Sequence, residues 1–264
     1  MIRVGVVGAL GKMGREVCRA LGQDPETVLV AAVDIAASGE TVQIGGDGPM
    51  RVSDEIDLLS QADAHVVVDF THPDAVMDDI RWCVRHAVDI VVGTTGLSEG
   101  DFQTIRHMIE EEGSESNVFV APNFAIGAVL MMQFAARASR FLPSIEIIEM
   151  HHDRKADAPS GTALRTAQEI AAARGPAPVP PVRSSENVPG ARGGSVEGIP
   201  IHSVRLPGLV AHQEVICGGP GQSLTIRHDS YDRAGFMPGV LLAVKNIRRY
   251  PGLTIGLENL LNLD

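Results

Sequence analysis

A doubly wound parallel α/β sheet, continued by a second α+β unit, is the fold class this sequence predicts, on three observations. Short β-branched apolar runs alternate with segments of helical period through the first half. A glycine-rich turn stands between the first run and the first helical segment. The second half loses the alternation and places several strand-like runs in succession. Together they define a Rossmann-type dinucleotide sheet joined to a unit of different architecture.

Taken in order, residues 2–7 form an apolar strand, and Met13, Val17, Ala20 and Leu21 then recur at helical spacing. Residues 28–33 and 65–70 are further strands, residues 74–86 a helix, and residues 90–92 a strand. A helix around 102–109 and a strand at 118–120 close the first half. Residues 36–49 read as a Gly-rich loop. In the second half, residues 127–141 and 162–173 are helical, and strands fall at 145–150, 201–205, 214–217 and 223–227. Residues 175–200, rich in Pro, Gly and Ser, read as a mobile surface loop, either a connector or a lid. Residues 239–250 are helical again and return to the first unit.

At 264 residues and 44% hydrophobic, the chain is long and apolar enough to bury a core without metals or disulfides. It lacks an apolar stretch of membrane-spanning length, and its first residues run into a strand without the features of a signal peptide. Cys18, Cys83 and Cys217 are odd in number and widely spaced, as expected of reduced thiols in a cytoplasmic protein. A formal charge of −11 disfavours nucleic acid, whose binding needs Lys and Arg against phosphates. A small anionic ligand stays compatible, because local charge can oppose the global sign.

The glycine turn, Gly8-Ala9-Leu10-Gly11-Lys12-Met13-Gly14, has the spacing GxxGxxG, a variant of the usual dinucleotide fingerprint. Such glycines let the backbone approach a pyrophosphate, and the following helix start offers N–H groups and a favourable dipole. Asp34 ends the second strand, where a carboxylate accepts hydrogen bonds from the adenosine ribose. No Arg follows it; a ribose 2′-phosphate would be repelled, so NADH is preferred and NADPH remains possible, with Lys12 as partial compensation. Two later strand ends fit the same site: Gly93-Thr94-Thr95-Gly96 and Ala121-Pro122-Asn123-Phe124. Their hydroxyl and amide groups suit a nicotinamide ring and its ribose.

The densest chemical cluster runs from Glu149 through His151, His152, Asp153, Arg154 and Lys155 to Ser160, Gly161 and Thr162. Adjacent histidines beside basic residues supply proton-transfer groups near neutral pH and positive charge for anions. Ser160-Gly161-Thr162 opens a helix whose N–H groups and hydroxyls can receive a carboxylate. A metal is not expected, since Lys and Arg neighbours oppose a cation and no third ligand stands at the right spacing.

This segment, with the glycine turn, Asp69-Phe70-Thr71, Gly93-Thr94-Thr95-Gly96 and Ala121-Pro122-Asn123-Phe124 in the same order, resembles the 4-hydroxy-tetrahydrodipicolinate (dihydrodipicolinate) reductase family of diaminopimelate and lysine biosynthesis. The resemblance implies reduction of a dianionic cyclic imine with NADH or NADPH to give tetrahydrodipicolinate. It implies cofactor contacts from Gly8, Ala9, Leu10, Gly11, Lys12, Met13, Asp34, Gly93, Thr94, Thr95, Ala121, Pro122, Asn123 and Phe124. His151 is then the acid/base residue and Lys155 a proton donor. His152, Ser160, Gly161 and Thr162 face the substrate carboxylates, and Arg233 looks similar to a further anion contact. It also implies a nucleotide domain over 1–124 and 235–264, a substrate and oligomerisation domain over 125–234, and a homotetramer. Asp153 departs from the family pattern of a neutral or basic residue; it is expected to point away or to pair with Arg154. Two other readings stand beside this one. A related dehydrogenase of an acyclic amino dicarboxylate should lack the His-His…Lys…Ser-Gly-Thr run, and a nucleotide-sensing regulator has no use for His151 or Lys155.

Overall fold

The apolar runs of the first half become the strands of an all-parallel sheet in the computed structural model, which describes residues 1–46, 48–175 and 185–263. The chain divides into two compact units, one of residues 1–124 with 236 onward, the other Ala125–Gly235.

In the first unit, β1 (Ile2–Val7), β2 (Thr27–Val33), β5 (Val66–Asp69), β6 (Asp89–Val92), β7 (Val118–Val120) and β13 (Leu253–Ile255) form a sheet in the order β13-β7-β6-β5-β1-β2. Every pairing in it is parallel. The chain winds outward from β1 in one direction through β2 and in the other through β5, so the strand order reverses between β1 and β5. That reversal is the switch point at which open α/β sheets bind ligands. Alternate residues face opposite sides. Val7, Val67, Ile90, Val92 and Val118 pack with Ile80, Val84 and Ile105 of α3 (Val76–Arg85) and α4 (Glu99–Glu112). The opposite set, Val4, Val6, Val68, Val91 and Phe119, is also buried, and α1 (Lys12–Gln23) and α7 (Met237–Asn246) pack together to cover this face. A face left bare would expose an unbroken row of Val and Ile side chains, each worth about 1.5–3 kcal/mol when buried.

Three departures from the sequence reading lie here. Residues 36–49 are not a plain loop: β3 (Thr41–Ile44) and β4 (Gly48–Arg51) form an antiparallel hairpin. Its signal is the alternation of exposed Thr41 and Gln43 with buried Val42 and Ile44, short enough to be masked by surrounding glycines. The short helix α2 (Leu58–Gln61) and the edge strand β13 were also not anticipated. Three residues after a Pro-Gly turn carry no periodicity to read.

The second unit is built on a mixed sheet in the order β12-β11-β8-β10-β9, from β8 (Ser144–His151), β9 (Gly194–Val196), β10 (Ile199–Arg205), β11 (Ala211–Gly219) and β12 (Gln222–Ser230). The central strand β8 runs parallel to β10 and antiparallel to β11. Helices α5 (Ile126–Ala138) and α6 (Gly161–Arg174) pack against each other and against this sheet. The reading of 175–200 as loop is corrected in part. Residues 176–184 lie outside the described residues, whereas 194–196 and 199–205 pair as a hairpin. Its two-residue turn, Glu197-Gly198, has φ of 50° and 76°, the doubly positive geometry whose twist matches the strands.

Candidate functional site

At the switch point of the first unit, the chain leaves β1 through Gly8, whose φ is +78° and whose missing side chain leaves room for the Phe70 carbonyl. A Cβ there would lie 2.5 Å from that oxygen, and one on Gly14 would lie 2.1 Å from the Gly8 carbonyl. The turn can therefore close only on glycine, and α1 begins directly at its end. Gly11 caps that helix, and no side-chain cap hydrogen bond is made there among the described residues. Lys12 at the helix start is exposed. An open helix start above a close-packed backbone is the arrangement a pyrophosphate needs, and these residues fit a dinucleotide. Asp34 follows β2. Its Oδ2 accepts the Leu10 N–H at 2.9 Å and its Oδ1 the Ala36 N–H at 3.0 Å, which ties the carboxylate to the glycine turn. Each oxygen keeps a second lone pair for a ribose hydroxyl.

The strand ends of β6 and β7 lie on the same edge. Thr95 is exposed, but Thr94 is buried and its hydroxyl donates to Asp69 at 2.7 Å. Thr94 thus points its hydroxyl inward and shapes the turn, while Gly93 and Thr95 present its outer side. Ala121 and Phe124 are buried, Pro122 is exposed, and Phe124 packs beside Phe70 with ring centroids 5.9 Å apart.

In the second unit the histidine segment sits at the carboxyl end of β8. Residues i and i+2 of a strand share a face, so Glu149 and His151 point the same way. Glu149 is fully buried, and its Oε2 lies 2.6 Å from His151 Nδ1. Arg205, paired with His151 across the β8–β10 register, places two nitrogens 2.8 and 2.9 Å from the two Glu149 oxygens. The Ser160 N–H adds a contact at 3.3 Å. Burial alone would push the Glu149 carboxyl upward; the Arg205 hydrogen bonds, with Ser203 and His151, outweigh it and hold the carboxyl below its usual range. An ionised carboxylate only accepts, so His151 Nδ1 carries a proton and Nε2 is the nitrogen turned to other partners. Burial pulls the His151 ring below its ordinary value, and Lys155 and Arg205 add to that against the opposing Glu149.

Lys155 donates to both oxygens of Asp157, at 2.7 and 2.9 Å, and this bond lowers the Asp157 carboxyl. Ser160 is engaged internally: it is buried, its N–H faces Glu149, and its side chain caps α6 by accepting the Ala163 N–H at 3.2 Å. One carboxylate, Glu149, therefore fixes both the histidine and the start of α6, where Gly161 is exposed and Thr162 partly so.

Residues 2–124 match the family described as dihydrodipicolinate reductase, N-terminus, and residues 127–261 match dihydrodipicolinate reductase, C-terminus. The chain belongs to the dihydrodipicolinate reductase family. It is 51% identical to a 4-hydroxy-tetrahydrodipicolinate reductase of Syntrophomonas wolfei subsp. wolfei, with 98% of each chain covered. It is 50% identical to one from Mycolicibacterium gilvum, over 99% of this chain and 100% of the relative. The solved structure of a dipicolinate-bound dihydrodipicolinate reductase from Paenisporosarcina sp. TG-14 aligns with a TM-score of 0.87 at 42% identity, over 99% of this chain and 100% of that one. Family membership makes the chain an oxidoreductase and sets aside the nucleotide-sensor alternative. The family's N-terminal domain implies NAD(P)H use.

The remaining residues expected of a family member are placed as follows. His152 leaves β8 with its Nδ1 buried and without a hydrogen-bond partner among the described residues. Arg233 opens a short 3₁₀ helix, Arg233–Phe236, and is exposed. Asp153 is exposed, and no ion pair joins it to Arg154 among the described residues. Two site residues had no assigned role in the sequence reading, Glu149 and Arg205. The first carried a signal, its place two residues before His151 on one strand. The second did not, because 56 residues separate it from Glu149 and only the sheet register brings them together.

Proposed function

We propose that this chain reduces 4-hydroxy-tetrahydrodipicolinate to tetrahydrodipicolinate with NADH or NADPH, NADH being preferred, as a step of diaminopimelate and lysine biosynthesis. The observation that carries this reading is the Glu149-anchored His151 beside Lys155 and the start of α6, in a chain half identical to reductases of that name.

Gly8, Ala9, Leu10, Gly11, Lys12 and Met13 hold the pyrophosphate, Asp34 the ribose, and the turns at Gly93, Thr94, Thr95 and Ala121 through Phe124 the nicotinamide half. When bound, the dinucleotide supplies a hydride. The 4-hydroxyl leaves as water together with a hydrogen from the adjacent ring carbon, and reduction of the conjugated ring so formed requires one proton as well. His151 donates that proton from Nε2 in its imidazolium form. Binding of a dianion raises the His151 pKa, so the ring gains its proton as the substrate arrives. Lys155, exchanging Asp157 for a substrate carboxylate, stabilises developing negative charge and is a second donor. His152, Gly161, Thr162 and Arg233 receive the carboxylates, and Ser160 acts by holding the helix start. Assembly is as a homotetramer in the cytoplasm, with apolar Val204, Leu206, Leu224 and Tyr231, all exposed in this single chain, as contact candidates. No described helix is long and apolar enough to cross a membrane.

The test is a coupled assay. The chain and NADH are added to the fresh condensation product of aspartate semialdehyde and pyruvate, and nicotinamide absorbance is followed. Substrate-dependent loss of NADH absorbance is expected; none with either nucleotide would overturn the reading. Comparing kcat/KM for the two nucleotides tests the preference, which a strong bias to NADPH would reverse. Light scattering should return the mass of four chains.

A further inference from the structure

Behind the nucleotide turns of the first unit lie two acids to which the proposed chemistry gives no part. Asp69, the last residue of β5, is fully buried. Its Oδ1 accepts the Thr71 N–H at 3.1 Å and the Thr94 hydroxyl at 2.7 Å, and the Thr71 hydroxyl lies 3.1 and 3.0 Å from its two oxygens. Asp79, in the first turn of α3, brings its Oδ2 within 3.4 Å of that same Thr71 hydroxyl.

Counting protons decides the charge states. A threonine hydroxyl has one hydrogen to give and lone pairs to receive. Asp69, ringed by donors, takes the hydroxyl hydrogen and carries the negative charge. Asp79 can bond the same oxygen only by donating to it, which requires a protonated carboxyl. Two carboxylates sharing one site, Asp69 buried and Asp79 half-buried, also cannot both ionise cheaply. We infer that Asp69 and Asp79 are positioning residues, a carboxyl pair holding one proton on Asp79 that sets the Phe70-Thr71 and Gly93-Thr94-Thr95 turns in place for the nucleotide.

The mechanical link is direct. The Phe70 carbonyl occupies the space a Gly8 side chain would take, and the Phe70 ring lies 2.1 Å from where a Gly93 Cβ would stand. Asp69 also ties the second turn through the Thr94 hydroxyl and through its own carbonyl, which accepts the Gly93 N–H at 2.8 Å. Loosening Thr71 therefore moves the floor beneath the glycine turn and the neighbouring strand end together.

The surroundings fit a neutral Asp79. Burial, then the charge of Asp69, pushes its carboxyl up to about 8, with Thr71 opposing and Asp78 adding a little. Asp78 on the same helix is turned to Arg81. Cys83, one turn on, is buried, which pushes its thiol well above the usual range and keeps it uncharged. On β6, Asp89 is held by Asn117 and Arg248.

This inference rests on the reading of these turns as the nucleotide site, and the experiment separates the two. NADH affinity of the full chain is measured by nucleotide fluorescence from pH 6.5 to 9.5, for wild type and Asp79→Asn. Carboxyl ¹³C shifts of labelled wild-type protein are followed over the same range. The expected result is an Asp79 carboxyl that titrates near pH 8 and a wild-type affinity that weakens roughly tenfold above it, about one hydrogen bond's worth. In Asp79→Asn, whose amide keeps a donor toward Thr71, that pH dependence should vanish. A carboxyl titrating below pH 6, or the same alkaline loss in both proteins, would overturn the pair. Failure of wild type to bind NADH at any pH would instead overturn the nucleotide reading, while the ¹³C titration still judges the pair. Should Asp79→Asn not fold, the wild-type titration and affinity profile alone decide.

Discussion

Two fully buried carboxylates stand at the carboxyl ends of strands, one in each unit, and solve the same problem in opposite ways. Glu149 is surrounded by Arg205 and His151, so its charge is met by charge. Asp69 is met by two hydroxyls and one N–H, and the ionisable group that shares its Thr71 hydroxyl is another acid, Asp79. The first environment stabilises an anion and can pass its influence to a proton donor. The second tolerates one anion only and stores a proton on the partner. Burial by itself does not assign a carboxyl its work; the charge of its donors does.

The comparison can be broken most severely at its chemical end. His151→Ala should lower kcat by about 10²–10⁴-fold, the usual worth of a general acid, while NADH affinity stays near wild type; steady-state kinetics with a binding titration checks both. Because the free ring lies below its ordinary 6.5, wild-type kcat/KM should fall as pH rises past that lowered value, with the limb in kcat at higher pH. Glu149→Gln removes the counter-charge of Arg205 and should cost about 3–5 kcal/mol in urea unfolding, together with a large fall in kcat. In the other unit Gly14→Ala, whose Cβ would meet the Gly8 carbonyl at 2.1 Å, should cost about 1–3 kcal/mol and weaken NADH binding, with catalytic groups untouched.

A subtler contrast lies in pH dependence of stability. The Glu149 carboxyl is lowered in the fold, so its contribution is complete above the unfolded value of 4.5 and is lost as pH falls through the folded one. Asp79 is raised, so its contribution is complete below 3.8 and is lost as pH climbs toward about 8. Urea midpoints against pH should accordingly lose an acid-side slope in Glu149→Gln and a slope of opposite sign in Asp79→Asn. The smallest effect is expected at Asp34. Asp34→Ala should shift the kcat/KM ratio toward NADPH by roughly tenfold, as one removed charge repulsion or hydrogen bond dictates.

What was legible in the sequence is what is local in the chain. The glycine turn, its flanking strand and helix, and Asp34 lie within one βαβ stretch, and spacing alone exposes them. The His151 to Thr162 run is equally contiguous. Arg205 was not legible, because its meeting with Glu149 depends on which strand lies beside β8. Asp79 lies inside the helix read over 74–86 as one acid among several, and only packing against Asp69 sets its protonation apart. The strands β3, β4 and β9 were hidden for a different reason. They are three or four residues long within glycine-rich surroundings, too short for alternation to outweigh composition.

The path of the chain through the first unit has a further consequence. It leaves that unit after Phe124 and re-enters at Phe236, and the two crossings adjoin, since Gly239 in α7 has no room for a side chain beside the Phe124 carbonyl. The 111 residues between them are thus a cassette spliced into the chain of an otherwise continuous sheet protein. Lineages can exchange, enlarge or re-tune such a cassette without redrawing a strand of the host. A graft at this seam needs only a short splice to join the two ends.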